Sequence, residues 1–184
     1  MSRIKDIKFK DRHSRDILIR NAVPDDAELI NKIKIDIIDE RYFMLREPFE
    51  ATYTKEKTAE EIIYNTENEG ALYIVAEHNS IVVGELDFTN GSLFRTKHCG
   101  SFTVFISKDY RDSGVGTHLI KALIAWAEKD SLIEKITLNA FSINTRAIKL
   151  YEKCGFMIEG YCPKDMKLDD GTYIDSVLMY KFVK

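Results

Sequence analysis

The stretch Ser107-Lys-Asp-Tyr-Arg-Asp-Ser-Gly-Val-Gly-Thr-His118 decides how the chain is read, because it joins an apolar strand to an amphipathic helix. Ahead of it, Phe102, Val104 and Ile106 alternate with Ser101, Thr103 and Phe105, the two-residue period of a mostly buried strand. Behind it, Leu119, Ile120, Leu123, Ile124 and Ala127 recur at the spacing of one helical face. Gly114 and Gly116 therefore sit at a strand-to-helix turn. The first amides of a helix lack intrahelical acceptors, and the macrodipole adds roughly half a positive charge there. Such a turn holds phosphate oxygens on backbone alone where no side chain blocks the approach. Arg111 adds a formal charge at its rim.

Residue types separate three kinds of phosphate loop. An ATP or GTP loop needs Gly-Lys-Ser/Thr, but Thr117-His118 follow Gly116. A dinucleotide fingerprint needs a small residue where Leu119 stands and an acid near Asn139. The spacing Arg111-x-x-Gly114-x-Gly116 after an apolar strand instead resembles the pyrophosphate loop of the GCN5-related N-acetyltransferases. Downstream, a strand at Ile136-Thr-Leu-Asn-Ala140 precedes Asn144-Thr-Arg-Ala147, then Leu150-Tyr-Glu-Lys153, then Gly155-Phe156. This resembles the second signature of the same family, in the same order and at the same separations.

The resemblance implies an α/β (α+β) fold in which a central mixed, mostly antiparallel sheet is flanked by helices and splayed at the cofactor strand. It implies direct transfer of an acetyl group from acetyl-CoA to a primary amine: a small-molecule amine, polyamine, amino acid or protein N-terminus. The backbone of Phe105 and Ile106 would pair with pantetheine. The amides of Arg111, Asp112, Ser113, Gly114, Val115, Gly116 and Thr117 would hold the pyrophosphate. Asn144 opens a helix as its N-cap, and the family places the matching residue beside the cofactor as well. Tyr151 lies two turns after Asn144 on nearly the same face, and the family makes it the general acid. A phenol with a pKa of about 10 is protonated at neutral pH and can donate to a thiolate whose pKa is about 8.5. A packed core tyrosine is the alternative.

Glu85 and Asp87 share one strand face by two-residue alternation. Either can accept a proton or attract a cation, with Glu85 the expected catalytic residue; a solvated strand face is the alternative. Glu47 and Glu50 fall in the segment that shapes the acceptor side in the family, so a cationic acceptor steered by carboxylates is expected. His118 is expected to pack or hydrogen-bond rather than act as base. A second functional reading is a non-catalytic acyl-CoA-binding module that acts through protein interaction.

Composition bounds these readings. The chain has 184 residues, 45% hydrophobic and 31% charged, an ordinary balance for one domain with a sizeable core. A net charge of −3 argues against nucleic acid as the main partner. Cys99, Cys154 and Cys162 lack metal-site or disulfide-framework spacing, so no metal is expected. No apolar run approaches the roughly 20 residues of a membrane span, and no signal-peptide pattern opens the chain, so a cytoplasmic protein without membrane contact is expected. Edge strands and the C-terminal hairpin allow a homodimer.

Along the chain, residues 1–15 are charged and aperiodic, an arm or extra edge segment, and residues 16–184 read as one N-acetyltransferase domain. Asp16 to Arg20 reads as a strand. Pro24-Asp-Asp26 opens a helix with Ala27, Leu29, Ile30, Ile33 and Ile37 as its apolar face. An irregular aromatic stretch carries Tyr42, Phe43, Met44, Phe49 and Tyr53. Thr58-Ala-Glu-Glu61 reads as a capping box starting a helix from Ala59 to Asn65. Two strands flank the turn His78-Asn-Ser80, and two more close the chain around Leu168-Asp-Asp-Gly171.

Overall fold

The computed structural model describes residues 3–41 and 43–184, so Tyr42 of the aromatic stretch lies outside the described residues. Two short strands, β1 (Ile7–Lys10) and β2 (Asp16–Asn21), pair antiparallel, and the charged N-terminal segment thus supplies an edge strand. The helices α1 (Ala27–Asp39) and α2 (Lys55–Glu67) follow, then the meander β3 (Leu72–His78), β4 (Ile81–Asn90) and β5 (Cys99–Ile106). Next come α3 (Val115–Ala127), β6 (Lys135–Phe141), α4 (Thr145–Lys153) and the hairpin of β7 (Met157–Lys167) and β8 (Tyr173–Phe182). Among the described residues these strands form one open sheet in the order β1-β2-β3-β4-β5-β6-β8-β7. Every pair is antiparallel except β5 with β6.

Helices cover both faces, because alternate side chains of the central strands are apolar on both. On one face Leu119, Ile120 and Leu123 of α3 pack over Ile74, Leu86 and Phe88, with Ile148, Leu150 and Tyr151 of α4 joining from the side. On the other, Ile30 and Ile33 of α1 and Ile62 of α2 pack over Tyr73, Val75 and Val82. Ala76 pairs with Gly84 and Glu77 with Val82, so Val83 is left without a partner in a β-bulge. Beyond the bulge the pleat sends Leu86 and Phe88 towards α3 and turns Glu85 and Asp87 to the α1–α2 side.

Two expectations shift at the α1–α2 interface. The α2 helix begins a turn earlier than the Thr58–Glu61 pattern indicates: Thr54 is its N-cap, accepting a bond from the Lys57 amide at 3.3 Å. Thr58 is buried instead, donating its hydroxyl to Asn31 Oδ1 at 2.6 Å. A buried hydroxyl needs a partner, and α1 provides one, which is why a capping residue type sits inside the helix. The expected apolar face of α1 is also partly polar, since Asn31 and Lys34 are buried with Ala27, Ile30, Ile33 and Ile38, while Leu29 and Ile37 are only partly covered.

Candidate active site

The parallel neighbours β5 and β6 pair only at Cys99, Gly100 and Ser101, opposite Lys135, Ile136 and Thr137. Thr137 Oγ1 donates to the Gly100 carbonyl at 3.0 Å, closing the base of the fork. Beyond it β5 runs on to Ile106 against β4 alone, and β6 runs on to Phe141 against β8 alone. The splay expected at this strand is therefore present, and one backbone edge of β5 from Phe102 to Ile106 faces the gap. This is also why Val104, Phe105 and Ile106 are only half-buried, where strand periodicity alone predicts a mostly buried run.

At the open end of the fork stands the glycine turn. Gly114 is the N-cap of α3 with φ of +102°, a conformation an L side chain rarely adopts, and no side chain caps the helix. The amides of Val115, Gly116 and Thr117 thus have no intrahelical acceptor. A Cβ on Gly116 would lie 3.5 Å from Leu150 Cδ2 and 3.7 Å from Ile106 Cγ1, ordinary contact distances. The fold alone does not require glycine there. Its missing side chain leaves open the space between β5 and α4, beside the free amides. These features fit a ligand that carries phosphates on an extended amide-bearing arm, as CoA does.

The surrounding charges are arranged to hold the turn. Arg111 forms a bidentate pair with Glu40, at 2.6 and 2.8 Å, and its Nε donates to the Ile106 carbonyl at 3.1 Å. Its guanidinium is thereby committed to the end of α1 and of β5 rather than standing free at the rim. Glu40 is held below the usual carboxylate range by this hydrogen-bonded pair. Asp112, at a φ of +57°, faces Arg146 at 3.4 Å. Ser113 is buried and donates its hydroxyl to the Tyr110 carbonyl at 2.6 Å. The N-terminal turn braces the same loop: the Arg12 amide donates to the Ser113 carbonyl at 2.9 Å, and its side chain to the Asp112 carbonyl at 3.0 Å. His118 packs and hydrogen-bonds, its ring stacked on Phe9 at 3.7 Å and its Nδ1 2.9 Å from the Gly114 carbonyl.

Across β5 from Tyr151 lies a cavity of about 870 Å³ between α1, α2, the 43–54 segment and the sheet. Tyr73, Asp87 and Thr103 stand in register on adjacent strands and line it, together with Phe105, Lys34 and Glu61. Glu85 is one pleat away in the same strand face, fully buried, and neither of its oxygens has a hydrogen-bond partner among the described residues. It lies 3.7 Å from the Lys34 ammonium and is not among the residues lining the cavity. Burial pushes both the Glu85 and Asp87 carboxyls above their ordinary values, and Lys34 draws each back down. Glu47 and Glu50 do not line it either; the Glu50 carboxylate accepts the Glu47 amide in a short helical turn.

On the opposite side of β5, Tyr151 packs edge-on to Phe102 with ring centroids 5.9 Å apart, and against Phe156 at 6.2 Å. Burial pushes its phenol up to about 12, so the hydroxyl keeps its proton throughout the physiological range. Asn144 caps α4, its Oδ1 accepting the Ala147 amide at 3.2 Å. Lys34, Glu40 and Tyr73 are among the members of this neighbourhood that sequence patterns did not single out. The signal for Lys34 was available: it occupies a core-facing position one turn from both Ile30 and Ile38.

The sequence matches the acetyltransferase (GNAT) family over residues 38–156. It is 31% identical over 110 residues to the L-amino acid N-acetyltransferase AaaT of Escherichia coli (strain K12), covering 60% of this chain and 67% of that protein. Over 171 residues it is 31% identical to an N-alpha-acetyltransferase of Saccharolobus solfataricus, covering 88% of each. The fold superposes on yncA from Salmonella typhimurium, a structure containing its cofactor acetyl-CoA, with a TM-score of 0.82 at 19% identity, covering 91% of this chain and 94% of that one. With the forked strands and the glycine-headed helix in the segment that matches, this chain belongs to the GNAT family of acetyltransferases and is an N-acetyltransferase.

Proposed function

We propose that the enzyme moves an acetyl group from acetyl-CoA directly to a primary amine seated in the cavity beside Asp87. The observation that carries this reading is the placement of β5: its free edge faces the fork and its Phe102 ring meets Tyr151, while its Thr103 and Phe105 side chains line the cavity. A donor held along the fork and an acceptor held in the cavity are then brought to one strand, which converts a bimolecular encounter into a positioned one. The amides of Arg111 to Thr117 would hold the pyrophosphate, the backbone of Phe105 and Ile106 the pantetheine, and Asn144 the neighbouring end of α4. Acetyl-CoA supplies the thioester carbonyl that the amine attacks.

The chain's own residues then have two proton tasks. An amine reacts only when neutral, and the Glu85–Asp87 pair lies where its proton would be taken, Asp87 at the cavity wall and Glu85 behind it. Tyr151 keeps a proton to give the leaving thiolate. Tyr151→Phe keeps the ring packing and removes only that donor, so turnover should fall roughly 10- to 1,000-fold with acetyl-CoA affinity nearly unchanged. Stopped-flow turnover with calorimetric titration checks this, and an unchanged chemical rate would move the acid role elsewhere.

The carboxylates favour an acceptor that is cationic before it reacts. A panel of amino acids, polyamines, simple amines and N-terminal peptides, read by thiol release from acetyl-CoA, should return at least one cationic acceptor. CoA binding without thiol release from any member would instead support an acyl-CoA-binding module, and a preference for acidic acceptors would overturn the electrostatic reading.

A further inference from the structure

The cavity floor holds a buried cation that the transfer just described does not use. Lys34 is 5% exposed, on the core-facing stripe of α1. Its ammonium donates to the Tyr73 hydroxyl at 3.3 Å and stands 3.7 Å from Glu85 Oε1 and 3.9 Å from Glu61 Oε2. An apolar side chain in this place would avoid the desolvation cost of a buried ammonium. A fully buried carboxyl with no hydrogen bond to either oxygen, next to a half-buried one on the same strand face, makes the two costly to ionise together. For Glu85, Lys34 is the ion-pair partner found among the described residues.

The other groups facing this cluster do not replace it. From α2, Glu61 adds a further negative charge, with Glu60 and Lys57 on the same cavity wall. The 43–54 segment brings Arg46, whose guanidinium lies over the Tyr53 ring at 5.4 Å. From β3 comes the Tyr73 hydroxyl, held protonated by burial and by the nearby carboxylates. The residues β5 adds to the wall, Thr103 and Phe105, are uncharged.

Resting on the reading that the amine seats beside Asp87, we propose that Lys34 is a positioning residue of the transfer, its ammonium beside the carboxyl pair keeping Asp87 ionised at the cavity wall. In the step this serves, an N–H bond of the acceptor ammonium breaks, the Asp87 carboxylate gains the proton, and the electron pair remains on nitrogen for attack. Asp87 touches the substrate; Lys34 acts through Asp87.

The test is a carboxyl-carbon NMR titration of Asp87 in wild type, Lys34→Met, Lys34→Arg and Lys34→Met/Glu85→Gln, without acceptor or acetyl-CoA, alongside pH profiles of kcat/KM and thermal melts. Removing a positive neighbour makes ionisation harder, so in Lys34→Met the Asp87 midpoint and the acidic limb of kcat/KM should both move up by at least about one pH unit. In the double variant a neutral amide replaces a carboxyl that burial keeps protonated where Asp87 titrates, so the midpoint should stay raised as in Lys34→Met. Lys34→Arg should keep it. If Lys34→Met does not fold, Lys34→Gln takes its place with the same expectation. An unmoved Asp87 midpoint in a folded charge-free variant overturns the proposal, whatever happens to the rate. Absence of acetyl transfer by the wild type, with a midpoint that does move, would defeat the proposed function and leave this coupling standing.

Discussion

Replacing Gly116 with tryptophan should lower CoA affinity by roughly 100- to 10,000-fold in a protein that still folds. The estimate follows from losing about two charge-assisted hydrogen bonds to the pyrophosphate, each worth about 1.5–3 kcal/mol. A large side chain at this position would project into the space between Ile106 and Leu150, beside the uncapped amides of α3. Gly116→Ala is the control for the fold, because its methyl meets both neighbours at ordinary contact distance and alanine is up to about 1 kcal/mol better than glycine in a helix. Its melting temperature should equal or exceed that of wild type, with an intermediate loss of CoA affinity. Calorimetric titration of both variants, with thermal melts, checks the pair. Wild-type affinity in a folded Gly116→Trp protein would remove the loop from the cofactor site.

The second large effect is expected at the carboxylate pair. Asp87→Asn should lower kcat/KM by roughly 100- to 10,000-fold, the range general acid–base groups commonly supply. Glu85→Gln should cost less. Burial keeps the Glu85 carboxyl protonated over the range in which Asp87 titrates, so a neutral amide in its place should leave the acidic limb nearly where it is, in contrast to the upward move expected on losing Lys34. A larger loss in Glu85→Gln than in Asp87→Asn would make Glu85 the group that receives the proton, directly or through water. Superimposable profiles and equal KM for wild type and Glu85→Gln would take Glu85 out of the site.

The features legible beforehand were those with a local signature. The glycine spacing placed the head of α3, alternation placed β3 to β5, and the Asn144 cap placed α4. The segment from Asp39 to Tyr53 gave no period, and its contribution to the cavity wall depends on packing against α1 that no local pattern encodes. Thr58 misled because its hydroxyl satisfies Asn31 on another helix, and a residue type marks a cap only when its partner is its own backbone. Arg111 looked like a rim charge because its partner Glu40 is 71 positions away. Lys34 was not singled out because helical periodicity records hydrophobicity, and a buried cation with distant counter-charges registers only as an interruption of the stripe. In each case the missing information is a contact between elements.

The bracing of the glycine turn by β1 and its following turn makes two remote parts of the chain thermodynamic partners. Ring stacking of Phe9 on His118 and the Arg12 bonds to Asp112 and Ser113 hold the turn in the shape whose amides converge. Whatever selects that shape must also favour docking of the N-terminal strand, and by linkage the two events strengthen each other by the same factor. If the turn holds the pyrophosphate as proposed, the first strand of the sheet is in this sense an effector carried on the same polypeptide: its local detachment should withdraw binding-competent molecules from the population, lowering apparent affinity in proportion, with no change in any group that touches the ligand.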